Sequence, residues 1–338
     1  MPESAPESLA AGLALVFAAG FFQGAFMAPS KYIRGWAWEN YWLVFAATAY
    51  LICPWLLAIA TVPKLFEIYS EVSAGSLMAV GLYGTAWGAG AVAFGLGVEA
   101  LGLALGFAVI LGVAATAGAV IPLLVHPPAS FTVRQGIVIA ASLVTMLAGV
   151  AVCSFAGKWK ETAKGATSYR RGVIICVASG LLSACGNLGF TFGVEITHRA
   201  RSMGVSNASA GNALWTLLTF PLFLCNAGFS LLLLHKNGTA AQFRNPHFWW
   251  NLPLAIAMGG MWMAGMGLYG AGARNLGPLG SSLGWAILMA SMVVVANLTG
   301  ILTREWRGAP AAAYRSLAIG VGLLIAAIAG LGYANSLQ

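Results

Sequence analysis

The 338-residue sequence predicts an all-α integral membrane protein in which ten transmembrane helices form two inverted five-helix repeats. Three observations carry this expectation. Hydrophobic residues make up 59% of the chain and charged residues 8%, against roughly 25% charged in soluble domains. Apolar stretches recur at about the ~20 residues that a bilayer-crossing helix needs. The stretch AWGAGAVAFGLGVEALG (86–102) returns 175 positions later as MWMAGMGLYGAGARNLG (261–277).

The spans are expected near 9–29, 38–62, 75–98, 101–125, 136–155, 172–193, 208–234, 249–271, 277–302 and 313–335. The first carries Glu3 and Glu7 ahead of it, no Lys or Arg, and an apolar core too long for a secretory signal, so it reads as a helix that stays. The second and seventh contain Pro54 and Pro221, which should kink them. The third and fourth meet at a very tight junction, Ala100–Gly102. Between the fifth and sixth lies KWKETAKGATSYRR (158–171), the one hydrophilic linker, which separates a first repeat (1–157) from a second (172–338).

Twelve of the 17 Lys and Arg residues fall on the side of that linker and five on the other. The positive-inside rule then makes the linker cytoplasmic and places both termini outside. The net charge of +8 is spread over short loops, which is how orientation is encoded, and nucleic acid is discounted as a partner. The five cysteines lie inside apolar spans at irregular spacing and read as packing residues.

Seven positions are identical at the 175 shift, among them Trp87/Trp262, Gly90/Gly265 and Leu101/Leu276, and Phe94 meets Tyr269. The repeat continues as Leu105-Gly106-Phe107-Ala108 against Leu283-Gly284-Trp285-Ala286, with three residues added around Pro278. Gly12 and Gly20 match Gly172 and Gly180 at a shift of 160. Five spans per half is odd, so the second copy enters the membrane from the opposite side. That arrangement is typical of secondary transporters, with the substrate held between the halves near the midplane.

On a helix, Trp87, Gly90, Phe94 and Leu101 share one face, as do Trp262, Gly265, Tyr269 and Leu276. Each face sets two aromatic rings about 10 Å apart around a glycine notch, a gap suited to a small ring-shaped solute. The alternative is that these rings pack in the core. Polar side chains inside spans are costly and are therefore site candidates. Gln23 pairs with Ser183 at the 160 shift, and Asn187, Ser281 and Ser282 join them, beside Trp285. Uncharged amides and hydroxyls suit a hydroxyl-rich neutral solute, although each could equally make an interhelical hydrogen bond. For Asn226 and Asn297 the hydrogen bond is the preferred reading.

The chain has no aspartate and nine glutamates. Glu39, within WAWENYW, is the candidate proton carrier because shielding among tryptophans would desolvate it, and Glu99 follows. A salt bridge from Glu39 to Lys31 or Arg34 is the ordinary alternative. No His/Cys cluster, nucleophile elbow, P-loop or dinucleotide fingerprint occurs, so neither an enzyme nor a cofactor is expected.

Read together, FMAPSKYIRGWAWENYW (26–42), the AWGAG…LGLALGFAVILG stretch (86–112), GGMWMAGMGLYG (259–270) and TREWRG (303–308) resemble the bacterial L-rhamnose–proton symporters of the drug/metabolite transporter superfamily. The resemblance implies a 5+5 arrangement, periplasmic termini, alternating access, and uptake of a 6-deoxyhexose with a proton. Trp87, Trp262, Tyr269 and Glu39 match the family pattern. Ala91, Gly265 and Ser281/Ser282 stand where that pattern has further amides and an acid, which makes this pocket the less polar one. An exporter or exchanger of another small metabolite on the same scaffold is the competing reading.

Overall fold

The computed structural model describes residues 9–101, 103–125, 127–128, 131–158, 169–304 and 306–337, and among them all regular structure is helical. Ten segments are long and apolar enough to cross a membrane: α1 (Leu9–Tyr32), α2 (Trp38–Thr61), α3 (Ala74–Val98), α4 (Gly106–Val125), α5 (Val133–Gly157), α6 (Arg170–Ser202), α7 (Gly211–Asn237), α8 (Phe248–Asn275), α9 (Gly277–Leu302) and α10 (Ala311–Ser336). A helix satisfies its own backbone groups, which hydrocarbon would otherwise leave unpaired. Of the linker expected at 158–171, residues 159–168 lie outside the described residues, while Lys158 ends one helix and Tyr169, Arg170 and Arg171 begin the next.

The spans differ from the sequence reading mainly at their ends. α6 runs on past residue 193, where a break at Gly193 is followed by a second helix, Val194–Ser202. Pro54 is accommodated by a π-helical turn, Ala47–Ile52, immediately before the helix Cys53–Thr61. The wider turn gives the proline ring room against the preceding carbonyls. The kink expected at Pro221 is not a break: the helix Gly211–Asn237 continues through it. The helix of α3 extends past its apolar span to Leu101, and that of α4 begins ahead of its span at Leu103. The three residues added in the second copy form a 3₁₀ turn, Gly277–Leu279, opened by Gly277 at φ +77°. That positive φ is the conformation glycine adopts without steric cost.

Glycine contacts set the packing, and they recur between the two copies of the sequence repeat. α1 packs on α8 and α9, and α6 packs on α3 and α4. Gly12 meets Leu276 and Asn275, while Gly172 meets Leu101 and Ala100. Gly20 lies against Ser291, and Gly180 against Val113. The partners stand 175 and 178 positions apart, the same registers that relate the two copies in the sequence. Small residues at these points let helix backbones come together where lipid supplies no hydrophobic drive for association. The thiols fit this picture: all five are free, Cys153 packs on Gly320 and Cys176 on Gly97.

Leu283–Leu288 of α9 is buried throughout and belongs to the same core as Trp215, Tyr269 and Met258. Leu56, Ile59, Leu82, Ile137 and Leu232 point outward and are exposed, forming the apolar face that such a bundle presents to lipid.

Candidate functional site

The two repeated tryptophans meet. The rings of Trp87 (α3) and Trp262 (α8) are 5.7 Å apart and inclined by 38°, and Tyr50 stands edge-on to Trp262 at 4.7 Å. Gly186 of α6 lies directly behind the Trp87 ring, leaving no room there for a Cβ. The glycine notches, however, do not hold a solute. Gln23 of α1 fills the notch at Gly265 and donates from Nε2 to the Trp262 carbonyl at 2.8 Å. Leu182 and Ser183 of α6 fill the notch at Gly90, whose carbonyl accepts from Ser179 Oγ at 2.9 Å. The spacing on one helix face is as expected, but a neighbouring helix occupies the gap, because close helix approach is what a bare glycine surface favours.

A second node forms around Tyr269. Its hydroxyl donates to Asn187 Oδ1 and lies 3.2 Å from the Ser281 carbonyl, and its ring is fully buried. Asn187 Nδ2 donates to the carbonyls of Gly118 (2.8 Å) and Ser281 (2.9 Å). One side chain thus ties α4, α6, α8 and α9, and its hydrogen-bonding capacity is nearly used up. Trp285 stands edge-on to Tyr269 at 5.7 Å and donates from Nε1 to the Ala114 carbonyl at 3.1 Å. Phe94 and Phe107, the counterparts of Tyr269 and Trp285 in the first copy, also meet edge-on, at 4.8 Å. Ser282 is buried behind this node. Asn226 accepts from Trp42 Nε1 at 3.1 Å, the interhelical bond preferred for it from sequence.

A cavity of about 410 Å³ opens beside the Tyr269 node, between the tail of α6 and the junction of α8 with α9. Among the candidate residues only Ser281 lines it. Phe190, Thr191, Arg201, Asn207 and Arg274 line it as well, and none of these was singled out from sequence. In the sequence, Arg201 and Arg274 count only among the charges that set orientation. Phe190 is positioned by stacking on Trp215, with centroids 5.0 Å apart and rings inclined by 11°. Volumes of roughly 300–1,000 Å³ are usual for small-molecule sites.

The two ends of the bundle are built differently around this cavity. Glu39, 5% exposed, has its Oε1 held by Asn237 Nδ2 at 3.0 Å and Thr239 Oγ1 at 2.6 Å. The neighbouring Asn40 donates to the Thr239 carbonyl at 3.1 Å, and Asn251 both accepts from Arg34 N (2.9 Å) and donates to its carbonyl (2.7 Å). The start of α2 is thereby latched to the end of α7 and the start of α8. The expectation for Glu39 needs correction in its cause: two neutral donors, rather than tryptophan faces, replace water around the carboxylate. No ion pair of Glu39 occurs among the described residues, and Arg34 stacks on Trp250 instead. The side chain of Glu99 lies outside the described residues.

At the other end the tail of α6 is tied to the connection between α2 and α3. Glu195 accepts from Ser73 N (2.8 Å), Ser73 Oγ (2.7 Å) and Ser76 Oγ, Arg199 pairs with Glu71, and Tyr69 donates to the Ala213 carbonyl at 2.7 Å. These ties hold the α6 wall of the cavity, which faces Ala273, Arg274 and Ser281 at the junction of α8 and α9.

The family model for the L-rhamnose-proton symport protein (RhaT) matches residues 9–335. The chain belongs to this family. Among curated relatives, the L-rhamnose-proton symporter of Cronobacter sakazakii is 26% identical over 92% of this chain and 94% of its own length. The proteins of that name from Klebsiella pneumoniae and Escherichia coli are 26% and 24% identical over the same shares. The resemblance read from residues 26–42, 86–112, 259–270 and 303–308 is therefore borne out across nearly the whole chain. With ten membrane-crossing helices, this RhaT-family chain is a multi-pass membrane protein of a transport family.

Proposed function

We propose that the chain imports L-rhamnose or a closely related 6-deoxyhexose across the inner membrane in symport with a proton, by alternating access between two inverted halves (1–157 and 172–338). The observation that carries this reading is the family match over residues 9–335. The geometry supports it in three ways. One end of the bundle holds an open cavity and the other is latched shut, as in one state of an alternating-access cycle. Repeat-equivalent glycines meet repeat-equivalent partners, which is the packing two related halves would give. Repeat-equivalent tryptophans touch at the junction.

The excess of basic residues on the side of 158–171 puts the Glu39 latch in the cytoplasm and the cavity toward the periplasm, with both termini periplasmic. In this reading the sugar enters the cavity at Ser281 and Phe190 and approaches the Tyr269–Asn187 node. It then separates Trp87 from Trp262, with Gln23, Ser183, Phe94, Ser282 and Trp285 bordering its path. Glu39 takes the proton: neutralising its carboxylate weakens the hold on Asn237 and Thr239 and frees the latch. The test is uptake of labelled L-rhamnose into proteoliposomes under an imposed pH gradient. Accumulation that a protonophore abolishes is expected. Gradient-independent exchange would favour an exchanger on the same scaffold.

A further inference from the structure

In the proposed orientation Glu39 stands behind a closed latch at the cytoplasmic end, whereas a proton driven inward arrives from the side of the cavity. It has to cross a hydrocarbon layer about 30 Å thick to reach that carboxylate. One face of α7 offers a route that the sugar path does not use. Asn212, Thr216, Thr219, Asn226, Ser230 and Asn237 follow one another at intervals of four, three, seven, four and seven residues. Intervals built from threes and fours keep side chains on one face of a helix. Phe223 and Leu234 fill the two longer intervals.

That face is turned toward α2 and the segment that follows it. Asn212 Nδ2 donates to Thr61 Oγ1 at 2.9 Å, and the Tyr69 hydroxyl shares a hydrogen bond with Thr216 Oγ1. Trp42 Nε1 donates to Asn226 at 3.1 Å, and Asn237 Nδ2 donates to Glu39 at 3.0 Å. The result is a polar seam about 38 Å long at the helical rise of about 1.5 Å per residue. Every member except Asn237, at the helix end, is buried. Its outer end adjoins the cavity, since Gly211, next to Asn212, packs on the cavity-lining Arg274. Glu39 is the single carboxylic acid of α2 and α7, so a proton that follows the seam ends there.

Ser230 indicates what the seam holds. It is fully buried, yet its Oγ has no hydrogen-bond partner among the described residues. A buried hydroxyl ordinarily has one, and ordered water is the usual partner where protein atoms supply none. Asn226, one turn away, keeps a lone pair on Oδ1 beyond the one that accepts from Trp42. Thr216 and Thr219 donate to carbonyls of their own helix and so face the seam as acceptors.

Building on the proposed transport reading, we infer that the α2–α7 seam holds a file of water molecules that conducts the coupling proton from the cavity end of α7 to Glu39, with Ser230 positioning the water nearest the latch. Each water oxygen accepts one proton and passes another on, and the last is taken by a Glu39 carboxylate oxygen, so no other group changes its charge. Phe223 and Leu234 interrupt the polar lining. A proton passes them only when water bridges the gap, which limits leakage of the gradient.

The test compares sugar-driven proton uptake with L-rhamnose counterflow in proteoliposomes of the full-length protein. Ser230→Ala removes a hydroxyl that holds no other side chain, so the melting temperature should stay near that of the parent. Proton uptake should slow by about tenfold, less than the roughly hundredfold or more that a direct proton donor supplies, because water can bridge one missing hydroxyl. Counterflow, which needs no net proton movement, should be unchanged. Ser230→Thr should restore proton uptake, and Thr219→Val should slow it. Proton uptake in Ser230→Ala equal to the parent's, or a joint loss of uptake and counterflow, overturns the inference and leaves the transport reading in place. The water is read without sugar: hydroxyl radicals formed radiolytically from bound water should label Phe223, and label it less in Ser230→Val. An unlabelled Phe223, or equal labelling in the two proteins, overturns the inference. If the parent takes up no labelled L-rhamnose, the transport reading has failed, and the labelling decides the inference by itself.

Discussion

Trp87 and Trp262 occupy the same place in the two copies of the repeat and lie ring to ring, 5.7 Å apart. A contact between equivalents is the outcome expected if the chain consists of two inverted halves that meet near their axis. Their surroundings differ: Trp262 is 6% exposed and packed on Tyr50, while Trp87 is only partly buried. Trp262→Ala should therefore lose about 3–5 kcal/mol of stability through the void it leaves, and Trp87→Ala distinctly less. If both rings border the sugar path, both variants lose L-rhamnose affinity by about tenfold or more, roughly 1.4 kcal/mol. Denaturation and equilibrium binding on the same preparations check this, and unchanged affinity in Trp87→Ala removes that ring from the path.

Tyr269→Phe deletes one hydroxyl and leaves Asn187 Oδ1 without the donor it has in this structure. An unsatisfied buried acceptor costs about 1–3 kcal/mol. A fall in melting temperature is expected in detergent. An unchanged melting temperature would mean that Asn187 finds another donor.

Glu39→Gln keeps an acceptor oxygen for Asn237 and Thr239 and removes the ionisation. The neutral amide stands in for the protonated acid, so it should hold the latch more weakly than the carboxylate does, and L-rhamnose counterflow should persist. Accumulation against a gradient should vanish. A variant that still concentrates sugar with accompanying proton uptake would return Glu39 to a structural role.

Gly20→Ala drives a methyl group into Ser291, and Gly180→Ala drives one into Val113. Overpacking of this kind costs about 1–3 kcal/mol. If the halves are equivalent, the two variants are destabilised to a similar degree, which thermal denaturation measures directly. A loss confined to one of them would show that one half carries the packing.

A periplasmic reporter fused at the C-terminus should be active, and one inserted within 158–171 silent. The reverse pattern would invert the assignment of the Glu39 latch to the cytoplasm.

The number and placement of the helices were legible in the sequence because a bilayer imposes its demand on each segment separately: about 20 apolar residues with the backbone satisfied within the helix. The repeat was legible for a related reason, since helix contacts through small residues leave glycines at fixed spacing, and Gly12, Gly20, Gly172 and Gly180 all sit at such contacts. What fills the space beside those glycines is a long-range matter. The notches at Gly90 and Gly265 read as solute sites along the chain, but α6 and α1 occupy them. Glu39 stands out in the sequence as one of few acids and by its tryptophan neighbours, but the residues that hold its carboxylate, Asn237 and Thr239, lie about 200 positions away, beyond any local pattern. Arg201 and Arg274 were read as orientation charges because composition records how many charges a loop holds, whereas a cavity wall is made when separate segments converge. Apolar length and small-residue spacing belong to one helix at a time and can be read along the chain; a pocket belongs to several helices at once and exists only after they have packed.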